Sequence, residues 1–498
     1  MMKRSNGSML TRRGFMRLSA AAATGAVFGP PLARGAGAIS QPLTRHFGRI
    51  NFDVTTLGLG GQASIQWTPL NVDPVAIITK AFDLGVNYFD TSNAYGPSQL
   101  NFGKAFDNLN LIPGRDGYDA QRRESIFLAS KTMVRGAEGG YPERPNVRNY
   151  TEGEHGEGAV ADLKRSLSQM FGKDDGTYPE GAYLDLFMIH NLTAYEEVDV
   201  VYKGLETPIE DEDGIGALAA LRDYRDGSNH TGLNPDREKL VRHLGFSGHH
   251  DAPVMMDMIQ RDRWDLLDAV LVSINVNDRR YRNMQYNVLP LAQAKNMAVI
   301  GMKAFADAAM YAKEARWSQD SDDVYRRVGS QAIPSQPLIE YALTTPTVHS
   351  LIVGIGEIND DPQNCQLARN MEAAQIAPDA LDTAQRRDLE SLGLKAKNGE
   401  TNWFQLADRE LTPPQNARIE NSETAIRLSW DTAYAGDEPL AKYEIVREGE
   451  LLDTVEHQPQ TSKTPFRYET ETSGKEFQIV AVDAAGRKAA SDTLSVPA

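Results

Sequence analysis

Eight short apolar runs, spaced mostly by helix-length amphipathic stretches, dominate this chain between residues 43 and 395. They lie at Thr56–Gly60, Val86–Asp90, Ile126–Lys131, Leu184–His190, His243–Ser247, Ala269–Asn275, Ala298–Lys303 and Ser350–Gly354. Such alternation is the signature of βα units, whose strands are buried in a parallel sheet. Eight units predict a closed (β/α)8 barrel, the TIM-type α/β fold. Arg45–Phe47 and Ile50–Val54, joined around Gly48, read as a small hairpin ahead of the first unit. In folds of this kind chemistry sits at the carboxyl ends of the strands.

Three of the runs stop at an ionisable residue. Val86–Phe89 ends in Asp90, with Tyr95 in the loop beyond; the third run ends in Lys131 and the fourth in His190. Singly, each has an ordinary explanation: Asp90 as a helix cap, Tyr95 as a packed loop aromatic, Lys131 as a solvated strand end, His190 as a core histidine. Together, in this order and on these strands, they resemble the catalytic set of the aldo-keto reductases. The leading hairpin resembles the one that closes the barrel floor in that family.

The resemblance covers about residues 43–395. It implies an NAD(P)-dependent oxidoreductase passing a hydride between a nicotinamide, NADP or NAD, and a small-molecule carbonyl or alcohol: an aldehyde, ketone or sugar. Carried over, Tyr95 is the proton donor, Lys131 the cation that lowers its pKa, Asp90 the partner of Lys131, and His190 the group that polarises the carbonyl. The alternative is a non-enzymatic binding or regulatory protein on the same scaffold.

The cofactor side follows from the same resemblance. Ser247, in Gly245-Phe246-Ser247-Gly248-His249, is implied to hold the nicotinamide carboxamide, with Gly248 where Asn is common. Ser273 stands where Gln is usual, and Asn275 is the candidate to compensate. Met302 replaces a stacking aromatic with a polarizable thioether, and Lys303 can reach the pyrophosphate. Gly354 belongs to the turn that meets the adenosine phosphate, and Gln363 and Asn364 fit the adenine-contacting pair. A 2′-phosphate needs a cation, yet this turn carries Glu357, Asp360 and Asp361, which weakens the case for NADP and leaves NAD open. No metal site is evident, because the histidines lack ligand spacing. Two long connections, Arg135–Gly158 and Thr193–Asp213, follow strands with candidate catalytic ends and are expected to shape the mouth of the site.

The two ends of the chain differ from its middle. Thr11-Arg12-Arg13-Gly14-Phe15 precedes a mild apolar run from Leu18 to Phe28, and Ala36-Gly37-Ala38 offers a small-residue cleavage site. Residues 1–38 resemble a twin-arginine (Tat) signal peptide. The implied location is periplasmic or otherwise exported, with no membrane span in the mature form. Export removes the protein from any recognised nicotinamide pool, so the nucleotide is expected to be held almost irreversibly. A single cysteine, Cys365, rules out an intramolecular disulfide. The formal charge of -16 argues against nucleic-acid partners, which need a basic face.

Past a stretch read as a linker, 396–414, period-2 alternation begins at 425–430, 443–447 and 477–483. Residues 415–498 resemble a fibronectin type III domain, a small immunoglobulin-like sandwich. Its expected work is docking, through contact with a protein or cell-envelope polymer, or covering the barrel.

Overall fold

The computed structural model describes residues 42–134, 155–396, 400–421, 425–471 and 474–496. The arginine pair with its apolar run, and nearly all of the Arg135–Gly158 connection, lie outside these residues.

The eight apolar runs form a closed parallel barrel: Leu57–Gly60, Tyr88–Asp90, Phe127–Thr132, Leu184–Ile189, Val241–Gly248, Leu267–Ser273, Ala298–Met302 and Ser350–Val353. Neighbours in the barrel are neighbours in the chain, and the eighth strand closes on the first with Leu351 beside Leu57. Two strands are shorter than their apolar runs for local reasons. The second starts late because the Val86 N–H bonds the Ala81 carbonyl at 3.0 Å and finishes the preceding helix. The sixth stops at Ser273 because Asn275 opens a tight turn, its carbonyl accepting the Asp278 N–H at 3.1 Å.

The hairpin Thr44–Phe47 and Ile50–Thr55 plugs the amino-terminal end. Phe47, Ile50 and Val54 pack into the same core as Tyr88, Phe127, Leu186, Met188 and Ile300. Phe47 meets Phe127 edge-on at 5.2 Å between centroids. Its turn residue Gly48 has φ +60, and a Cβ there would sit 2.5 Å from Ala298 N. Glycine is required on both counts.

The third strand, which ends at the site, is pinned from below and above. Below, the Leu128 N–H donates to Asp185 at 3.0 Å, and Asp185 is paired with the buried Arg123 at 3.0 Å. Above, Asp162 of the helix His155–Phe171 accepts the Thr132 hydroxyl at 2.6 Å. Asn93 donates to the Asp162 carbonyl and to Ser166, each at 2.8 Å, so the second and third strand ends share one buried polar network.

The chain then builds two antiparallel sheets, with the first of their strands at Gln415–Asn421. One sheet holds that strand, Ile426–Asp431 and Phe466–Thr470; the other is organised around Leu440–Arg447 and Glu476–Asp483. Trp430, Tyr443, Ile445, Phe477 and Ile479 fill the space between them. This arrangement is a small β-sandwich.

The sandwich is docked on the barrel rather than tethered to it. Asn283 donates to the Gly436 carbonyl at 2.9 Å, and Asn287 exchanges bonds with Ala435 N and O at 2.8 and 3.1 Å. Arg279 reaches the Asp437 carbonyl at 2.8 Å and Gln260 the Gln460 carbonyl at 2.9 Å. Arg279, Arg387 and Glu390 of the barrel close an ion-pair ring on Glu438 of the sandwich. No described helix is long and apolar enough to cross a membrane.

Burial pushes the Asp162 carboxyl up to about 7, against the Thr132 and Met133 hydrogen bonds and the charge of Arg165. The folded chain therefore holds an extra proton between about pH 4 and pH 7, and loses stability as pH rises through that window. Asp162→Asn removes the titrating group. The drop in urea midpoint from about pH 5 to about pH 8 should shrink in this variant relative to the parent; equal drops refute the assignment.

Candidate active site

Strand alternation brings the key side chains together. Asp90 pairs in register with Ala129, which faces the barrel interior, and Lys131 lies two residues further along that strand on the same face. The Lys131 Nζ donates to Asp90 Oδ1 at 2.5 Å and to the Thr91 carbonyl at 2.8 Å. Both residues are buried. Burial pushes the Lys131 ammonium down and the Asp90 carboxyl up, and the attraction between the two opposes each shift; Lys303 adds a further push on Lys131.

Tyr95 is delivered by the loop after the second strand. The Lys131 Nζ lies 5.0 Å from the centroid of its ring. The Tyr95 hydroxyl is 3.4 Å from His190 Nε2, and the rings meet edge-on. On the other side of the imidazole, Nδ1 is 3.1 Å from Ser92 Oγ. Ser92 Oγ also accepts the Ala94 N–H at 3.2 Å, which fixes the hydroxyl beside the imidazole. With the Ser92 proton donated to Nδ1, the neutral imidazole carries its hydrogen on Nε2, facing Tyr95 and the cleft.

These groups open on a cleft of about 1600 Å³, its open mouth included. Asp90, Tyr95, His190, Ser247, Met302, Lys303 and Gly354 all line it. Asn275, Gln363 and Asn364 do not. Asn275 is buried in the turn after the sixth strand, and Asn364 is exposed with its amide on Asp361 at 2.6 Å. Gln366 and Asn370 line the cleft in their place, one turn apart on the helix Gln366–Ala373. Their spacing of four is the sequence signal that marks them.

Packing accounts for Gly248, where a Cβ would fall 2.2 Å from Met255 Sδ. The cleft meets an amide from the preceding loop instead, at Asn191, whose N–H donates to Ser247 Oγ at 3.0 Å.

No residue of Thr193–Asp213 lines the cleft; that stretch folds into the helix Tyr195–Val201 and a short turn. The excursion between the seventh strand and the helix Ser335–Leu343 supplies a large share of the wall, including Phe305, Asp307, Tyr311, Trp317, Tyr325 and Arg327. It is stapled internally. Asp307 accepts Lys313 and the Ser318 N–H, each at 2.8 Å, and Asp323 accepts Arg316 at 2.9 and 2.8 Å. Gln366 clamps its far end, donating to the Tyr325 and Arg327 carbonyls at 2.8 Å while accepting Gly356 N–H at 2.7 Å. A Cβ on Gly356 would sit 2.2 Å from the Tyr325 carbonyl, so this contact needs glycine.

The cleft suits a long polar anion. Trp67 Nε1 and Tyr311 OH, both able to donate, lie in its lining residues, buried and without a hydrogen-bond partner among the described residues. Its lining carboxylates are each paired with a cation: Asp90 with Lys131, Asp307 with Lys303 and Lys313, and Asp323 with Arg316, while Lys303 and Arg327 themselves line the cleft. A nicotinamide dinucleotide fits this wall: Ser247, Asn191 and Met302 would hold the nicotinamide end, Lys303 the pyrophosphate, and Gly354, Gln366, Asn370 and Arg327 the adenosine end.

The sequence profile of the aldo/keto reductase family matches residues 56–377. YqkF, an uncharacterised oxidoreductase of Bacillus subtilis, is 22% identical over 369 residues, covering 69% of this chain and 97% of its own. D-arabinose 1-dehydrogenase of Saccharomyces cerevisiae is 25% identical over 290 residues, covering 56% of this chain and 69% of its own. Among solved structures, an aldo-keto reductase from Bacillus halodurans matches at 19% identity with a TM-score of 0.45, over 70% of this chain and 95% of its own. The family match spans more than half of the chain and takes in Asp90, Tyr95, Lys131 and His190, and the protein belongs to the aldo/keto reductase family, the NAD(P)-dependent oxidoreductases.

Proposed function

We propose that this protein is an exported oxidoreductase with a resident nucleotide, interconverting an aldehyde, ketone or sugar carbonyl with its alcohol. The observation that carries the chemistry is the convergence of the Tyr95 hydroxyl and His190 Nε2 on one cleft, above the buried Lys131–Asp90 pair. When bound, the nicotinamide supplies or accepts the hydride. The chain's own residues manage the oxygen. In reduction, negative charge builds on the substrate oxygen, and the Tyr95 hydroxyl donates its proton there. A phenol is a weak acid at neutral pH, and the ammonium beside its ring stabilises the phenolate left behind. Asp90 keeps that ammonium charged and oriented in a dry pocket. With Ser92 donating to Nδ1, His190 carries its hydrogen on Nε2 and directs the oxygen toward Tyr95. In oxidation the same proton path runs backward. A sugar dehydrogenase among the relatives favours a sugar as one class of substrate.

Export is supported by the twin-arginine pattern of residues 11–15 and the cleavage site at 36–38. The two-sheet region with its buried Trp430 and Tyr443 supports the fibronectin type III reading. For the nucleotide, Glu357, one of the three carboxylates at this turn, is paired with Arg326 at 3.0 Å, while Asp360 and Asp361 remain. Arg327 lines the cleft beside Gln366 and is our candidate for a 2′-phosphate, making NADP the favoured dinucleotide.

Tyr95→Phe should lower kcat by about 10²–10⁴-fold while leaving nucleotide Kd within about twofold; full turnover in that variant sinks the mechanism. Arg327→Ala should weaken NADP by about tenfold or more and NAD by less than about twofold, since only the former offers a dianion to a guanidinium. Equal losses in titration calorimetry would remove Arg327 from the phosphate site. Denaturing freshly purified protein should release about one nucleotide per chain, read by mass spectrometry. Protein that releases none and binds neither dinucleotide is a binding protein on a reductase scaffold.

A further inference from the structure

The excursion that walls the cleft is fixed at its two ends, by the seventh strand and by Gln366. A nucleotide held against this wall would be freed by a swing of its middle, as lids free their ligands. That middle carries Trp317, which meets His249 and, from beyond the family match, Trp403.

After the helix Thr383–Ala396 the chain crosses back over the carboxyl ends of the fifth and sixth strands as a strap, Thr401 to Asp408. Thr401, Asn402, Phe404 and Gln405 are buried in it. It is bonded along its length: Asn277 to Thr401, the Leu406 N–H to the His250 carbonyl at 3.2 Å, the Arg282 N–H to the Leu406 carbonyl at 3.0 Å, and the Arg282 guanidinium to Asp408 at 2.5 Å. The strap delivers two rings. Trp403 lies edge-on to Trp317 with centroids 4.2 Å apart, and Phe404 lies edge-on to His249 at 5.2 Å. His249 in turn is 5.2 Å from Trp317, and the Lys303 ammonium sits 4.9 Å from the Trp317 ring. Beyond Asp408 the strap runs into the sandwich, where Thr412 and Tyr434 exchange bonds at 3.1 and 2.8 Å.

We propose that Trp403 and Phe404 are positioning residues that latch the 303–334 excursion shut over the bound nucleotide. The proposal rests on the resident-nucleotide reading and names the device that makes the nucleotide resident. The latch works by packing: an aromatic ring seated on Trp317 fills the space through which the middle of the excursion would have to move. The sandwich holds the latch in place by anchoring the far end of the strap.

The test is nucleotide release, not turnover. Full-length protein loaded with NADPH is chased with excess NADP, and the loss of bound-NADPH fluorescence is timed. Trp403→Ala should release at least about tenfold faster than the parent, the equivalent of about 1.4 kcal/mol in retention. Trp403→Phe should return release to within about threefold of the parent. The Trp403 Nε1–H is buried without a hydrogen-bond partner, so phenylalanine keeps the ring contact and forfeits no bond. Asp408→Asn loosens the strap at an exposed carboxylate and should speed release by about threefold without touching the aromatic layer. It also serves should Trp403→Ala fail to fold. Release unchanged in the folded variants overturns the latch and leaves the resident nucleotide standing. Release from the parent within seconds overturns both.

Discussion

A charged lysine held inside a barrel is the condition on which the rest of this site depends. An ammonium taken out of water costs several kcal/mol unless it is paired and hydrogen-bonded. Lys131 meets that condition with Asp90 on one side and the Thr91 carbonyl on the other. Both partners come from the neighbouring strand, so the pair is also a register lock between the second and third strands. Around it, the buried network of Asn93, Asp162 and Ser166 holds the two strand ends at fixed height. The site's chemistry and the barrel's local stability thus rest on the same few atoms.

The parts of this architecture legible in the sequence are those set by local periodicity. Buried parallel strands write themselves as apolar runs, and an ionisable residue that ends such a run is conspicuous; Asp90, Lys131 and His190 were visible for that reason. What was illegible depends on contacts between distant segments. Gln366 and Asn370 needed the phase of a helix whose start at Cys365 no strong cap announces. Gly248 looked like a departure from pattern because its cause, the sulfur of Met255, sits on the following helix. Arg326 pairs with Glu357 from 31 residues away, a contact that acidity counted along the chain does not include. The strap reads as a linker because Pro413 and Pro414 mark only where it ends, while Thr401 and Phe404 are buried against Asn277 and His249, in the loops after the sixth and fifth strands.

The charge distribution separates two roles. The chain as a whole is acidic, with 68 acidic against 52 basic residues, whereas each carboxylate lining the cleft is paired with a cation. Pairing there lowers the repulsion that a polyanion would otherwise meet on a net negative chain. The carboxylates in the cleft do structural work: Asp307 and Asp323 each tie down a turn of the excursion while pairing with a cation. They fix the wall with their own charge already matched.

The seating of the sandwich has a consequence for how the chain can change over time. Beside side-chain contacts at Tyr434, Glu438 and Lys463, the barrel grips main-chain atoms: the carbonyls of Ala435, Gly436, Asp437 and Gln460 and the N–H of Ala435. Gly436 is constrained because a Cβ there would collide with the Arg409 carbonyl at 2.2 Å. Recognition of this kind reads the path of a turn and ignores most of the side chains on it. The outer faces of the sandwich can therefore diverge widely in sequence, acquiring or losing surface partners, while the barrel keeps hold of the same loop.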